Sequence, residues 1–218
     1  MSLMGPAVPA RTDRSGPVPG RLYLHPGFLD PERCARLCEE MAAAVAPEPA
    51  DVLPSDRVNE GGRRAWYIDV SESTLCRVES RFDAARASVA AFFGCLLGER
   101  EGAGFLRYDP GGFYGPHRDR GDDAEWPGAA RRRVSAVLFL NSASSGRGQA
   151  AGPGHFAGGT LRLFLDADEP VEVLPVAGTL VAFPSDALHE VTPVVAGVRY
   201  AVVDWYYDAP AASAIHGF

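Results

Sequence analysis

The sequence predicts a mainly β domain with helices gathered at its N-terminal end. Three observations carry this. Two long stretches in the first half show helical spacing of apolar residues, from Asp30 and from Ser71. From Gly104 onward the pattern changes to short apolar runs. Gly, Pro, Asn or Asp separate nearly all of those runs, with no helical stretch between them. Seven or eight such strands suggest a sandwich or open barrel, with the helices bracing one face of a sheet.

The chain has 218 residues, a length that fits one domain. Residues 1–20 are rich in Pro, Gly, Ala and Arg and read as a flexible arm, which leaves 21–218 as the single domain. Arg21–Leu24 looks like a first strand. In the first helix Asp30 suits the N-cap and Pro31 the first turn. Cys34, Leu37, Cys38, Met41 and Val45 then form one stripe, and Pro47 and Pro49 end it. A strand is expected over 65–70. Ser71 or Ser73 can cap the second helix, which carries Leu75, Val78, Phe82, Ala85, Val89, Phe92 and Leu96 and stops near Gly98. The expected strands are 104–108, 113–119, 134–140, 160–165, 171–174, 179–183, 188–191 and 198–206. Two loops, 120–133 and 142–159, are long enough to act as substrate lids at a sheet rim.

Composition excludes several classes. Hydrophobic residues make up 46% and charged residues 22%, a globular balance. No apolar run reaches membrane-spanning length. The net charge of -7 argues against a nucleic-acid binder, which needs a basic face. The chain holds no lysine, so no site can use one as base or anion ligand. Cys34, Cys38, Cys76 and Cys95 form no CxxC pair. No secretory signal pattern opens the sequence, so buried, reduced thiols in a cytoplasmic protein are expected.

The chemistry concentrates in two segments. In Phe113-Tyr114-Gly115-Pro116-His117-Arg118-Asp119, His117 and Asp119 lie two apart, so a strand projects both to one face. An imidazole beside a carboxylate is a two-point metal clamp, although His-x-Asp alone is common by chance. His189 follows in Phe183-Pro184-Ser185-Asp186-Ala187-Leu188-His189. Arg199 then shares a strand face with Ala201, Val203 and Trp205. A guanidinium among apolar neighbours needs an anion, either a structural carboxylate or that of a ligand. Two histidines and one carboxylate on one side of a metal leave three positions open, the arrangement that suits non-haem Fe(II).

With these residues in this order, the chain resembles the iron(II)/2-oxoglutarate-dependent dioxygenases, in their prolyl 4-hydroxylase-like branch. The resemblance covers roughly residues 20–208. It rests on LRYDPGGFYGPHRD (106–119), RVSAVLFLN (133–141), GGTLRLF (158–164), AGTLVAFPSDALHEVTPV (177–194) and GVRYAVVDWYYD (197–208). It implies a double-stranded β-helix, or jelly roll. His117, Asp119 and His189 match the iron ligands, and Arg199 matches the residue that binds the distal carboxylate of 2-oxoglutarate. Tyr108, Leu161 and Trp205 fall where the co-substrate pocket is lined. Phe139 stands where hypoxia-sensing relatives have a tyrosine whose hydroxyl reaches the co-substrate, so Tyr108 or another group supplies that donor, or Arg199 acts alone. Collagen-type relatives use lysine where Arg199 stands. Fe(II), 2-oxoglutarate and O2 are the implied cofactor and co-substrates, with succinate and CO2 as products. Halogenating relatives lack the carboxylate present here at Asp119, so hydroxylation is implied.

A prolyl residue in a protein or peptide is the implied substrate. A free amino acid or small metabolite is the alternative within the class, and a non-catalytic cupin-like binder of a metal or small acid the alternative outside it. Arg118, Arg120 and Trp126 are candidate substrate contacts. His25, His155 and His216 read as surface residues, Arg131-Arg132-Arg133 as a solvated strand start, Asn141 as a turn former, and Glu190 as pointing away from the metal.

Overall fold

The computed structural model describes residues 20–45, 47–50, 62–121, 127–144, 154–165 and 169–210. In chain order the elements are Tyr23–His25 (β1), Pro31–Ala42 (α1), Glu48–Pro49 (β2), Arg63–Arg64 (β3), Trp66–Tyr67 (β4), Glu72–Phe93 (α2), Leu97–Arg100 (β5), Gly104–Tyr108 (β6), Phe113–His117 (β7), Arg132–Phe139 (β8), Ser142–Ala143 (β9), His155–Gly158 (β10), Leu161–Phe164 (β11), Val171–Val173 (β12), Leu180–Pro184 (β13), Leu188–Val191 (β14), Val194–Ala196 (β15) and Arg199–Asp208 (β16). The large sheet runs β1-β13-β8-β16-β6-β4-β2, with β5 also on β16. A second sheet runs β12-β11-β14-β7-β3, and β15-β10-β9 form a small third one.

Alternation along the large sheet sorts its two faces. Leu138, Leu180, Ala182 and Val202 face the helices and pack with Leu37, Met41, Phe82 and Val89. Their strand neighbours Val137, Phe139, Val181, Phe183 and Ala201 face the other way, onto Leu161 and Leu163 of the second sheet. Side chains two apart share a face, so each strand supplies both cores. This is the jelly roll braced by helices that the sequence predicts.

Both helices start on carboxylates. Asp30 caps α1, accepting from the Arg33 amide at 2.9 Å, and Pro31 opens its first turn. Ser71 is the N-cap of α2 but makes no side-chain cap bond. Glu40 of α1 takes that part, accepting from the Ser71 amide at 2.7 Å and the Thr74 hydroxyl at 2.8 Å. The α2 N-terminus is thereby tied to α1. Gly94 ends α2 at φ 61°, a left-handed cap that favours glycine.

Several expectations are corrected. The α1 stripe ends at Met41, because the helix stops at Ala42 and Val45 is exposed. Likewise α2 stops at Phe93. Leu96 is exposed, and 97–100 is a strand on β16 rather than the helix tail. The single strand expected over 65–70 is two short ones. β3 pairs with β7 of the second sheet and β4 with β6 of the large one, so the chain changes sheets at Ala65. The 142–159 loop contains β9 and β10, paired in parallel, and 145–153 lie outside the described residues. All four cysteines are free, but Cys76 is exposed on the solvent side of α2 and Cys95 is only half-buried. The 1–20 arm, apart from Gly20, and His216 fall outside the described residues. No helix among the described residues is long and apolar enough to cross a membrane.

Candidate metal centre and active site

β7 and β14 run antiparallel, with His117 and His189 as direct register partners. Asp119 follows β7 by two residues. One ligand atom from each of His117, Asp119 and His189 lies within 4.8 Å of the others, and all three residues are buried. His117 Nε2 is 3.5 Å from Asp119 Oδ1, and His189 Nε2 is 3.5 Å from Asp119 Oδ2.

The hydrogen bonds set the tautomers. His117 Nδ1 lies 2.9 Å from the Gly115 carbonyl, and His189 Nδ1 lies 3.0 Å from the Ala187 carbonyl. A carbonyl only accepts, so each Nδ1 donates and each Nε2 keeps its lone pair for a metal. Burial, followed by the neighbouring His117, pushes His189 down to about 4, which keeps it neutral at physiological pH. Burial alone would raise the Asp119 carboxyl. In the acid range where a carboxyl titrates, the protonated forms of His189 and His117, together with the Ser135 hydroxyl, outweigh it and hold the group far below the usual carboxylate range. Tyr114 stacks on His117 with ring centroids 3.4 Å apart, and Phe183 meets His189 edge-on at 4.7 Å. Both imidazoles are thus wedged in place.

The triad opens into a cavity of about 730 Å³, its mouth included. Arg199, Tyr108, Leu161 and Trp205 line it, and so do the unforeseen Arg63, Tyr114, Arg132 and Ser135. Arg199 is 2% exposed, and burial lowers its pKa. Its guanidinium lies over the Tyr108 ring at 4.8 Å and the Phe139 ring at 5.6 Å. It has hydrogen-bonding contact with Tyr108, but its Nε finds no partner. No carboxylate pairs with it among the described residues. Phe139 backs Arg199 and is not part of the cavity wall.

The candidate substrate contacts fare differently. Arg118 is exposed and donates to the Asp186 carbonyl. Arg120 is ion-paired with Asp208 at 2.9 Å and donates to the Arg132 carbonyl. Both are engaged by the fold outside the cavity wall. Trp126 lies outside the described residues. Glu190 pairs with Arg162, away from the triad. Asn141 ties β16 to the end of β8, donating to the Val198 carbonyl and accepting from the Tyr200 amide. His25 and His155 are exposed.

The reading of Arg131-Arg132-Arg133 as a solvated strand start is corrected at its centre. Arg132 is 5% exposed, forks onto Glu101, donates to the Asp119 carbonyl at 3.1 Å and lies 3.9 Å over the Trp205 ring. β16 shifts register between Tyr206 and Tyr207, opposite this residue, so simple alternation misplaces it. Ser135 did carry a sequence signal: a lone hydroxyl in the apolar run VSAVLFL needs a buried partner.

Comparison with known proteins follows the same line. Residues 103–207 match the model of the 2OG-Fe(II) oxygenase superfamily. The matched stretch is similar to that superfamily and holds His117, Asp119, His189 and Arg199. A PKHD-type hydroxylase of Synechococcus elongatus is 37% identical over 101 residues, 46% of this chain and 40% of the relative. This chain thus spans well under half the length of the curated relatives it matches. A Pseudomonas putida prolyl-4-hydroxylase superposes with TM-score 0.64 at 28% identity, covering 87% of this chain and 93% of that one. A Trichoplax adhaerens prolyl hydroxylase, solved with a hypoxia-inducible-factor oxygen degradation domain peptide, gives TM-score 0.64 at 18% identity, covering 88% and 84%.

For this 2OG-Fe(II) oxygenase relative, the family implies Fe(II), 2-oxoglutarate and O2. The side chains fit that set. Two imidazole nitrogens with free lone pairs and one carboxylate form a mixed N/O donor set suited to Fe(II). A buried guanidinium with an unsatisfied Nε fits a dicarboxylate.

Proposed function

We propose that the chain is an Fe(II)- and 2-oxoglutarate-dependent hydroxylase whose prime substrate is a prolyl residue in a protein or peptide. His117 Nε2, Asp119 and His189 Nε2 hold the iron. Arg199 grips the distal carboxylate of 2-oxoglutarate, Tyr108 supplies a hydroxyl beside it, and Leu161 and Trp205 line its path. Arg118 and Arg120 lie outside the cavity wall, where Arg118 donates to the Asp186 carbonyl and Arg120 pairs with Asp208.

The observation that carries this reading is Arg199, a buried cation with an unsatisfied Nε on the wall of the cavity that holds the triad. Leaving such a group without an anion is costly unless a ligand supplies one. Iron, when bound, supplies oxidation of an unactivated C–H bond coupled to decarboxylation of 2-oxoglutarate to succinate and CO2. The chain contributes the rest. Arg199 orients the co-substrate, Leu106, Leu161, Val191 and Val203 exclude water, and the neutral His189 imidazole stays available as a ligand at physiological pH.

The prolyl assignment is supported by the Pseudomonas and Trichoplax neighbours, the second of which holds a peptide. A free amino acid is the competing substrate within the same chemistry. The reading also treats residues 21–218 as one oxygenase domain, and its free thiols are consistent with a cytoplasmic setting. The test is succinate release from 2-oxoglutarate with Fe(II), comparing proline-containing peptides with free proline. Stimulation by peptide with a 16 Da gain on proline is expected. Stimulation by free proline alone would move the substrate to the small-molecule class. No succinate with any substrate, under conditions where the metal is bound, would favour a non-catalytic binder.

A further inference from the structure

Ser135 and Ser185 form a buried hydroxyl pair behind Asp119 that the proposed chemistry does not use. Their oxygens lie 2.9 Å apart, and Ser135 donates to Asp119 Oδ2 at 2.6 Å. Ser135 is 1% exposed and Ser185 is 0% exposed. Ser135 has one hydroxyl hydrogen and spends it on the carboxylate, so Ser185 donates to Ser135. The result is a directed chain, Ser185 to Ser135 to Asp119, in a dry environment where such chains strengthen each link.

The backbone holds this chain from several sides. Ser135 sits on β8. Ser185 opens the turn from β13 to β14, the strand that carries His189. Its amide donates to the Arg133 carbonyl at 3.1 Å, and its own carbonyl accepts from the Arg120 amide at 2.8 Å, one residue past Asp119. The hydroxyl pair therefore links the segment bearing Asp119 to the turn leading to His189.

Each Asp119 oxygen lies 3.5 Å from one triad nitrogen, Oδ1 from His117 Nε2 and Oδ2 from His189 Nε2, but only Oδ2 is engaged by Ser135, and Oδ1 accepts from no hydroxyl or backbone amide among the described residues. We infer that Ser135, braced by Ser185, is a positioning residue that makes Asp119 a one-oxygen metal ligand through Oδ1. A carboxylate free to turn could close both oxygens onto the metal and take up a position that the co-substrates need. This inference rests on the metal assignment proposed above.

Anaerobic titration with Co(II) alone tests it, reading both affinity and the visible ligand-field spectrum. Ser135→Ala is expected to weaken Co(II) binding on the order of 10–100-fold and to change the spectrum. Ser135→Thr, which keeps the hydroxyl, restores both. Ser185→Ala leaves β8 intact and weakens binding by a smaller, measurable factor. Wild-type affinity and spectrum in Ser135→Ala, with an unchanged melting temperature, would overturn the inference. If Ser135→Ala does not fold, an unchanged Co(II) affinity in Ser185→Ala would overturn it instead. Absence of Co(II) binding by the wild-type chain would overturn the metal assignment itself.

Discussion

His117 and His189 are direct cross-strand partners, with ring centroids 4.1 Å apart on one face of the β7–β14 pair. Register alone accounts for their meeting. Opposed residues on antiparallel strands have Cβ atoms about 4.5–5.5 Å apart, and a one-residue slip would send one imidazole to the other face. Asp119, two residues beyond His117, completes the set with oxygens 3.5 Å from each Nε2. Metal affinity should therefore depend on each side chain separately. His117→Ala or His189→Ala is expected to lower it by more than the ~10–100-fold typical of an outer-shell partner. Isothermal titration with Mn(II) measures this.

Arg199 sets function against stability. Burying it without a carboxylate costs the protein free energy, and replacing buried charges by apolar groups of similar volume is often neutral or stabilising by about 1–4 kcal/mol. Arg199→Met is expected to raise the melting temperature of the ligand-free protein slightly and to abolish the further rise on adding 2-oxoglutarate. Thermal melts with and without 2-oxoglutarate decide this.

Gly159 guards the same arginine. Its φ of +61° disfavours any side chain, and an added Cβ would sit 2.9 Å from both Arg199 Cδ and Phe156 Cε2. Gly159→Ala is expected to destabilise the fold by about 1–2 kcal/mol and to raise the KM for 2-oxoglutarate. Denaturant unfolding and steady-state kinetics check the two halves. A normal KM would show that Arg199 moves aside freely.

The thiols differ in their response to pH. Burial pushes Cys34 up to about 11 and Cys38 up to about 12. The thiolate is the reactive form, so both stay protonated and inert until pH rises toward those values. Iodoacetamide at pH 8 is expected to label the exposed Cys76 and to spare Cys34 and Cys38 until the chain is unfolded. Peptide mass spectrometry of the native and denatured protein reads this directly.

Much of this was legible in the residues. Period-two alternation marked the strands and put Arg199 on the face of Val203 and Trp205. The cap at Asp30 located the first helix, the choice of Ser71 or Ser73 placed the start of the second, and His-x-Asp with a distant His pointed to the metal site. What stayed hidden depended on contacts remote in sequence. Arg132 looks like one of three solvated arginines until Glu101, Trp205 and the Asp119 carbonyl surround it. Leu97–Arg100 follows a helix so closely that only its pairing with β16 reveals a strand. The split at Ala65 arises because neighbouring residues join different sheets, which no local pattern records.

The central claim is that His117, Asp119 and His189 share one metal ion. Anaerobic loading with Fe(II), followed by desalting and metal analysis, tests it most directly. About one iron per chain is expected for the wild-type protein, with near-background iron in His117→Ala and Asp119→Ala variants that keep the wild-type fold by circular dichroism. Iron retained undiminished by both variants would contradict the account.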